Sequence, residues 1–202
     1  EKHHLFAVRS SSPEEDLEGA SFAGGYETIL GVNRDTLFES IRKAFASCLD
    51  FRIFKYKKEK GFKIDDFRIA IVVMAQIASD ISGVGFSLNP LNNDYDEAII
   101  NSNWGLGETV VSGVVNPDQF IMNKVDRKLI SITIGKKEKS IILEKDGGTR
   151  EITDSRQNER TLTDEKLYEI LEQIKLVEDY YKKPMDIEWA IEDDKLYMHQ
   201  AR

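Results

Sequence analysis

The chain has 202 residues, with 36 acidic and 28 basic side chains and a net charge of −8. That balance gives no general attraction to nucleic acid or to an anionic membrane, and no apolar run approaches the ~20 residues that a membrane helix needs. Cys48 is the only cysteine, which excludes an internal disulfide and fits a reducing compartment, with the cytoplasm as the expected location.

The length suits one sizeable core or two packed subdomains. Leu5 to Val8 reads as a buried strand with Arg9 at its end. A loop rich in hydroxyls and acids follows. The small residues of Ala20-Ser21-Phe22-Ala23-Gly24-Gly25 then allow a backbone to approach a ligand closely, and free N–H groups there suit phosphates. Leu37, Ile41, Ala44, Phe45, Cys48 and Leu49 recur at helical spacing, so one helix is predicted from Asp35 to about Lys58, capped by Asp35 and carrying Arg52 near its end. Cys48 sits in that pattern as a buried thiol. The apolar run Phe67 to Ile77 predicts a central strand.

Val84 to Leu88 and Glu97 to Ile100 read as further strands, the second leading into Asn101-Ser102-Asn103-Trp104-Gly105-Leu106-Gly107-Glu108. The glycine pair lacks the third glycine of a dinucleotide fingerprint and is not a P-loop. Phe120 to Val125, Leu129 to Ile134 and Lys139 to Leu143 predict an antiparallel meander, with a turn at Asp146-Gly147-Gly148. Gln157 to Arg160 reads as a mobile polar loop. Thr163 caps a helix through Tyr181, whose apolar stripe is Leu167, Ile170, Leu171, Ile174 and Val177. His3, His4 and His199 have no metal-ligand spacing with Cys48, which argues against a zinc site. The fold class is α+β, with mixed or antiparallel sheets and two main helices.

The C-terminal stretch carries the clearest chemistry. Pro184 to Arg202 reads as two strands joined by an acidic turn. Asp186 and Glu188 share one face of the first strand, and Gln200 and Arg202 share one face of the second. A three-residue loop, Glu192 to Asp194, pairs Ile191 with Lys195 and Asp186 with Gln200. Two carboxylates, an amide oxygen and a guanidinium then converge. Hard cations such as Mg²⁺ take oxygen ligands and share them with phosphates, and an adjacent arginine holds phosphate oxygens. An exposed edge hairpin with solvated charges has the same pattern, and spacing alone leaves both readings open.

Several stretches together carry a resemblance. They are Val8-Arg9-Ser10-Ser11, Ala20-Ser21-Phe22-Ala23-Gly24, Glu27-Thr28, Trp104-Gly105-Leu106-Gly107-Glu108, Val115-Asn116-Pro117-Asp118, Met185-Asp186-Ile187-Glu188-Trp189-Ala190 and Gln200-Ala201-Arg202. In this order they resemble the nucleotide-binding domain, of ATP-grasp type, of the phosphoenolpyruvate synthase and pyruvate phosphate dikinase family. Rifampicin phosphotransferase carries a related domain.

The resemblance implies an ATP-grasp-like fold over residues 1–202, as part of a longer dikinase-type protein. It implies ATP and Mg²⁺ as cofactors. By position, Arg9 resembles an arginine on the phosphates, Arg52 a second basic residue near the nucleotide, and Gly24 and Thr28 the small-residue loop over the phosphates. Glu188 and Gln200 resemble the Mg²⁺ ligands, with Asp186 supporting them, and Arg202 resembles the arginine that holds the transferred phosphoryl group. Arg9 and Arg202 are thus the expected catalytic cations. In the family, this domain passes a pyrophosphoryl group from ATP to a histidine on a separate domain, and that phosphohistidine then phosphorylates pyruvate held in a pyruvate-binding domain. The expected partners are therefore those two domains, and neither nucleic acid nor a membrane. The chain departs from the family at its N-terminus, where the glycine-lysine loop has no match, so an incomplete domain lacking its N-terminal lid is expected. It also departs at Met74, where glutamine is common, and at Gly25-Tyr26. These departures leave a degenerate nucleotide-binding or docking module as the alternative, beside the ATP domain of a rifampicin-type phosphotransferase.

Overall fold

The computed structural model describes residues 5–13, 16–17, 20–21 and 25–202. The fold is α+β and ATP-grasp-like, built from antiparallel sheets and helices. The chain divides into two compact units. Residues 1–76 and 143–149 form the first, and residues 77–142 and 150–202 the second.

In the first unit, β1 (Phe6–Ser11) is the middle strand of a three-stranded antiparallel sheet between β4 (Thr28–Val32) and β5 (Ala70–Ala75). The short strands β2 (Asp16–Leu17) and β3 (Ala20–Ser21) pair with each other. Val8, Val32 and Ala44 form the buried core, with Ile29, Leu37, Ile41 and Ile71 packed around them. The long apolar run at 67–77 is therefore an edge strand rather than a central one, with Val72, Val73 and Met74 each about two-fifths exposed. An apolar run reports burial tendency and cannot report which side of a strand is paired.

The single helix expected from 35 to 58 is broken. α1 (Leu37–Ala46) ends in a 3₁₀ turn at Ser47–Leu49, and α2 (Phe51–Lys60) starts afresh. Asp50 makes the break: its backbone is extended, and its carboxylate accepts from Arg52 N as the cap of α2. Arg52 thus lies in a first turn rather than near a helix end. Asp35 does not cap α1. The N-cap position is Thr36, without a side-chain cap hydrogen bond, and Asn33 closes the turn ahead of it, its Oδ1 accepting from Asp35 N, Thr36 N and Thr36 Oγ1. Cys48 lies in the 3₁₀ turn and is half-buried.

The second unit holds a six-stranded antiparallel sheet in the order β13-β12-β6-β7-β8-β9. Its strands are β6 (Ile81–Phe86), β7 (Glu97–Trp104), β8 (Asp118–Asn123), β9 (Leu129–Thr133), β12 (Asp186–Glu192) and β13 (Lys195–Ala201). α4 (Asp164–Tyr181) packs on one face, burying Leu167, Ile170, Leu171 and Ile174 against Ala98, Ile100, Phe120, Ile187 and Trp189. Its Thr163 cap accepts from Lys166 N, as its sequence predicts. Gly83 makes room for the Trp189 ring, since a Cβ there would come within 2.5 Å of it. The expected three-strand meander stops after β9. β10 (Lys139–Leu143) instead pairs with β11 (Thr149–Thr153) in a separate hairpin.

The segment at 157–160 is tied down. Lys137 N donates to Gln157 O, Arg156 stacks over the Trp104 ring at 4.0 Å, and Trp104 Nε1 donates to Arg156 O. No helix among the described residues is long and apolar enough to cross a membrane.

Candidate nucleotide and metal site

The face of the six-stranded sheet opposite α4 carries the polar residues of the C-terminal hairpin. Asp193 and Asp194 both have positive φ, 49° and 63°, and form a two-residue turn. This turn sets Glu192 against Lys195 and Trp189 against Met198. A one-residue irregularity follows, in which His199 is the extra residue. The ladder then resumes with Glu188 opposite Gln200. Asp186 and Arg202 exchange two backbone hydrogen bonds of 2.8 Å. The register therefore differs from that of a three-residue loop: Asp186 meets Arg202, and Gln200 meets Glu188.

Asp186, Glu188, Gln200 and Arg202 line one cavity of about 300 Å³, together with Val84, Asn101 and neighbouring apolar side chains. α3 (Glu108–Val111) adds Val110 and Val111 to its wall. Glu188 and Gln200 are half-buried. Arg202 Nη1 donates to Glu188 Oε1 at 3.4 Å, a long contact. Burial pushes the Asp186 carboxyl above its ordinary value, and the Arg202 charge draws it partly back.

The donor set fits a hard cation. Among the described residues no group of three or more His, Cys, Asp or Glu side chains is placed to hold a metal. A cation here would rest on the carboxylate of Glu188 and the amide oxygen of Gln200, with Asp186 beside them. Mg²⁺ binds in this way: it takes one or two carboxylates, keeps several waters and completes its shell with substrate phosphates. Held there, such an ion would supply neutralisation of phosphate charge.

In the first unit, Arg9 on β1 lies directly opposite Thr28 on β4, so both side chains leave the same face of that sheet. Thr28 and Arg52 line a second cavity, of about 590 Å³, with Gly25, Lys43, Ser47 and Asp50. Arg52 forks onto Asp50, with Nε–Oδ1 at 3.0 Å and Nη2–Oδ2 at 3.1 Å. That bond holds the Asp50 carboxyl below its ordinary value and the Arg52 guanidinium above its own. The pair is exposed, and such pairs contribute little to stability. Tyr26, at one of the departures from the family pattern, is buried, with its hydroxyl donating to Ser12 Oγ at 3.2 Å. Met74, at another, lies opposite Ala7 on the edge strand. Gly24, His3 and His4 lie outside the described residues.

Two features of the second unit went unread in the sequence. Asp118 enters there only within the Val115-Asn116-Pro117-Asp118 stretch, with no role of its own. It is fully buried and accepts from Lys137 Nζ at 2.5 Å, Gly135 N at 2.9 Å, and Thr161 N and Oγ1 at 2.8 Å each. The strand expected from the sequence ends at Ile100, one residue short of Asn101. Strand β7 continues to Trp104 and carries Asn101 into the cavity wall. The alternation of inward Ala98, Ile100 and Ser102 with Ile99, Asn101 and Asn103 was the signal that marks this longer strand.

The family model for the AMP/ATP-binding domain of pyruvate phosphate dikinase matches residues 1–202. The chain is 42% identical to a probable phosphoenolpyruvate synthase of Archaeoglobus fulgidus over 204 residues, covering all of this chain and 27% of that protein. It is 42% identical to the uncharacterized phosphotransferase YvkC of Bacillus subtilis, covering all of this chain and 24% of that protein. It is 32% identical to the rifampicin phosphotransferase of Bacillus cereus, over 98% of this chain and 23% of that protein. The chain belongs to the pyruvate phosphate dikinase AMP/ATP-binding domain family, and it spans about a quarter of the length of these relatives.

Proposed function

We propose that the chain is the Mg·ATP-binding part of a phosphoenolpyruvate synthase-like phosphotransferase. One observation carries this reading: two carboxylates, an amide oxygen and an arginine line a single cavity on β12 and β13. Glu188 and Gln200 hold the cation, Asp186 supports them, and Arg202 meets the phosphoryl group that is transferred. Arg9, Thr28, Gly24 and Arg52 are proposed as nucleotide-contacting residues of the first unit. Charges placed where the phosphates develop negative charge contribute several kcal/mol each to a transition state, typically about 3. The proposed acceptor is a histidine on a further domain, with pyruvate as the final acceptor and the cytoplasm as the location. The identity to phosphoenolpyruvate synthases over the whole chain supports this choice of acceptor.

The test uses the intact protein, ATP labelled in its β-phosphate, and Mg²⁺. Label on a protein histidine together with AMP release is the expected result, and Glu188→Ala removes both while nucleotide-free folding persists. ATP binding without any transfer would favour the alternative of a nucleotide-binding or docking module. The relative that is a rifampicin phosphotransferase supports a second reading, in which the antibiotic is the acceptor. Competition of rifampicin with pyruvate for the labelled phosphoryl group separates the two.

A further inference from the structure

The polar face of the sheet continues beyond the hairpin. Directly paired residues on antiparallel strands point to the same side. The ladder therefore places Gln200, Glu188, Val84 and Asn101 on one rung across β13, β12, β6 and β7. Val84 is the floor between Glu188 and Asn101. Two strand spacings, about 9.5 Å, separate these two backbones.

Asn101 lines the same cavity as Asp186, Glu188, Gln200 and Arg202. Its amide oxygen is enclosed, and among the described residues no donor reaches it. The amide oxygen of nearby Asn103 is likewise enclosed without a donor, but Asn103 does not line this cavity. Its Nδ2 is anchored on Thr109 Oγ1 at 2.7 Å and on Lys139 O at 3.0 Å. An enclosed acceptor without a donor loses its hydration and gains nothing in the free protein. For folding alone, an apolar side chain of similar shape would serve better at 101. A donor that arrives with the ligand accounts for the amide.

We propose that Asn101 is a positioning residue of this site, its amide oxygen accepting a hydrogen bond from a water on the cation that Glu188 and Gln200 hold. The inference rests on the Mg·ATP reading above. The spacing selects a water-mediated contact. An amide two strands from Glu188 is too distant to share the ion's inner shell, whereas a bound water spans the gap above Val84. Mg²⁺ retains several waters when it binds. A bridging water is nearly as good as a direct hydrogen bond, and groups that hold the outer shell orient the ligands and raise metal affinity.

The test titrates the intact protein with Mn²⁺ and ATP, read by the electron paramagnetic resonance signal of free Mn²⁺, alongside thermal unfolding without nucleotide. Asn101→Leu is expected to weaken Mn·ATP binding by roughly tenfold, as losses of outer-shell partners do, while its unfolding temperature stays level or rises. Asn101→Asp restores the acceptor and recovers binding to near the parent value. A structural role would lower stability and affinity together and show no rescue by aspartate, and that result overturns the proposal. So does a leucine variant that binds like the parent. If the parent binds Mn·ATP and Glu188→Gln abolishes it while Asn101→Leu does not, only the role of Asn101 falls. A parent that shows no metal-dependent ATP binding overturns the Mg·ATP reading and this inference with it.

Discussion

Glu188 and Gln200 face each other across β12 and β13 because His199 is one residue too many for the ladder. The two-residue turn sets Trp189 against Met198, and an uninterrupted ladder would next set Glu188 against His199. Gln200 would then oppose Ile187 and share its face toward the α4 core. The extra residue shifts the strand by one and returns Gln200 and Arg202 to the cavity side. A slip of one residue exchanges the two faces of a strand, and here a bulge makes that exchange where the chemistry needs it.

The pairing predicts the effect of a third carboxylate. Gln200→Glu places a charge directly opposite Glu188. Two unit charges about 5 Å apart repel by about 3 kcal/mol at an effective dielectric of about 20. The variant should bind free Mg²⁺ more tightly than the parent, because the ion offsets the added charge. It should bind Mg·ATP about tenfold more weakly, because the phosphates meet the excess charge that remains. Isothermal titration at fixed Mg²⁺ checks both. Unchanged ATP affinity would place the phosphates away from Gln200.

Asp186 predicts a pH dependence. Its folded carboxyl titrates above the ordinary 3.8 because burial disfavours the charged form. The folded chain therefore holds this proton more tightly than the unfolded chain does. Stability from this group is present below the ordinary value and is lost as pH rises through the raised one. Asp50, Asp66 and Asp154 have the opposite sign, since arginine partners hold their carboxyls down, that of Asp66 to about 2. The difference between the parent and Asp186→Asn isolates the first effect. In urea unfolding, the variant should gain on the parent as pH rises through the acid range and remain ahead at neutrality. A difference that is flat with pH would show that Asp186 titrates alike in both states.

What the sequence made legible follows from how local each signal is. The stripe of Leu167, Ile170, Leu171 and Ile174 with Thr163 ahead of it defines α4 without any tertiary information. The spacing of Asp186 and Glu188 puts both on one strand face whatever the partner does. Register is not local. Asp193-Asp194 lacks the glycine that usually marks a turn with two positive φ angles, and nothing at Met198-His199 announces a bulge. The break at Asp50 was hidden because the apolar residues of α1 and the 3₁₀ turn stay in helical phase to Leu49. The edge position of β5 depends on which strands exist to pair with it. For the site, spacing left the hairpin ambiguous, and the ordered motifs separated a metal-phosphate reading from a solvated turn. Asn101 matched neither signal, because its significance lies in a missing hydrogen bond.

The turn itself carries a stability prediction. Asp194 holds φ at 63°, where a side chain is disfavoured and glycine is not. Its carboxylate also meets Lys166 at 3.1 Å, an exposed contact of small value. The backbone carbonyl of Asp194 accepts a further bond from Lys166, which glycine retains. Asp194→Gly should therefore stabilise the chain by about 0.5–1 kcal/mol, since it removes strain and keeps the turn. Urea unfolding measures the change. A loss of stability would mean that the ion pair outweighs the backbone strain.

Asp118 and Lys137 are fully buried and form a pair within a network that also takes in Gly135 and Thr161. Breaking a buried pair by removing one partner costs about 3–5 kcal/mol, because the other charge is left uncompensated. The two halves of this pair are not equivalent. Lys137→Met leaves Asp118 with three remaining donors, so the loss should lie near the lower figure. Asp118→Asn leaves Lys137 charged without a counter-ion and turns one acceptor into a donor facing N–H groups. Its loss should lie near the upper figure. Pro117, next to Asp118, lines the cavity of Glu188 and Gln200. Asp118→Asn should therefore also weaken Mg·ATP binding at temperatures where the variant remains folded, and Lys137→Met should do so less. Paired measurements of urea unfolding and ATP titration test the order. If Lys137→Met proves the more damaging, the lysine charge rather than the backbone and threonine donors holds the carboxylate, and the expected order is wrong.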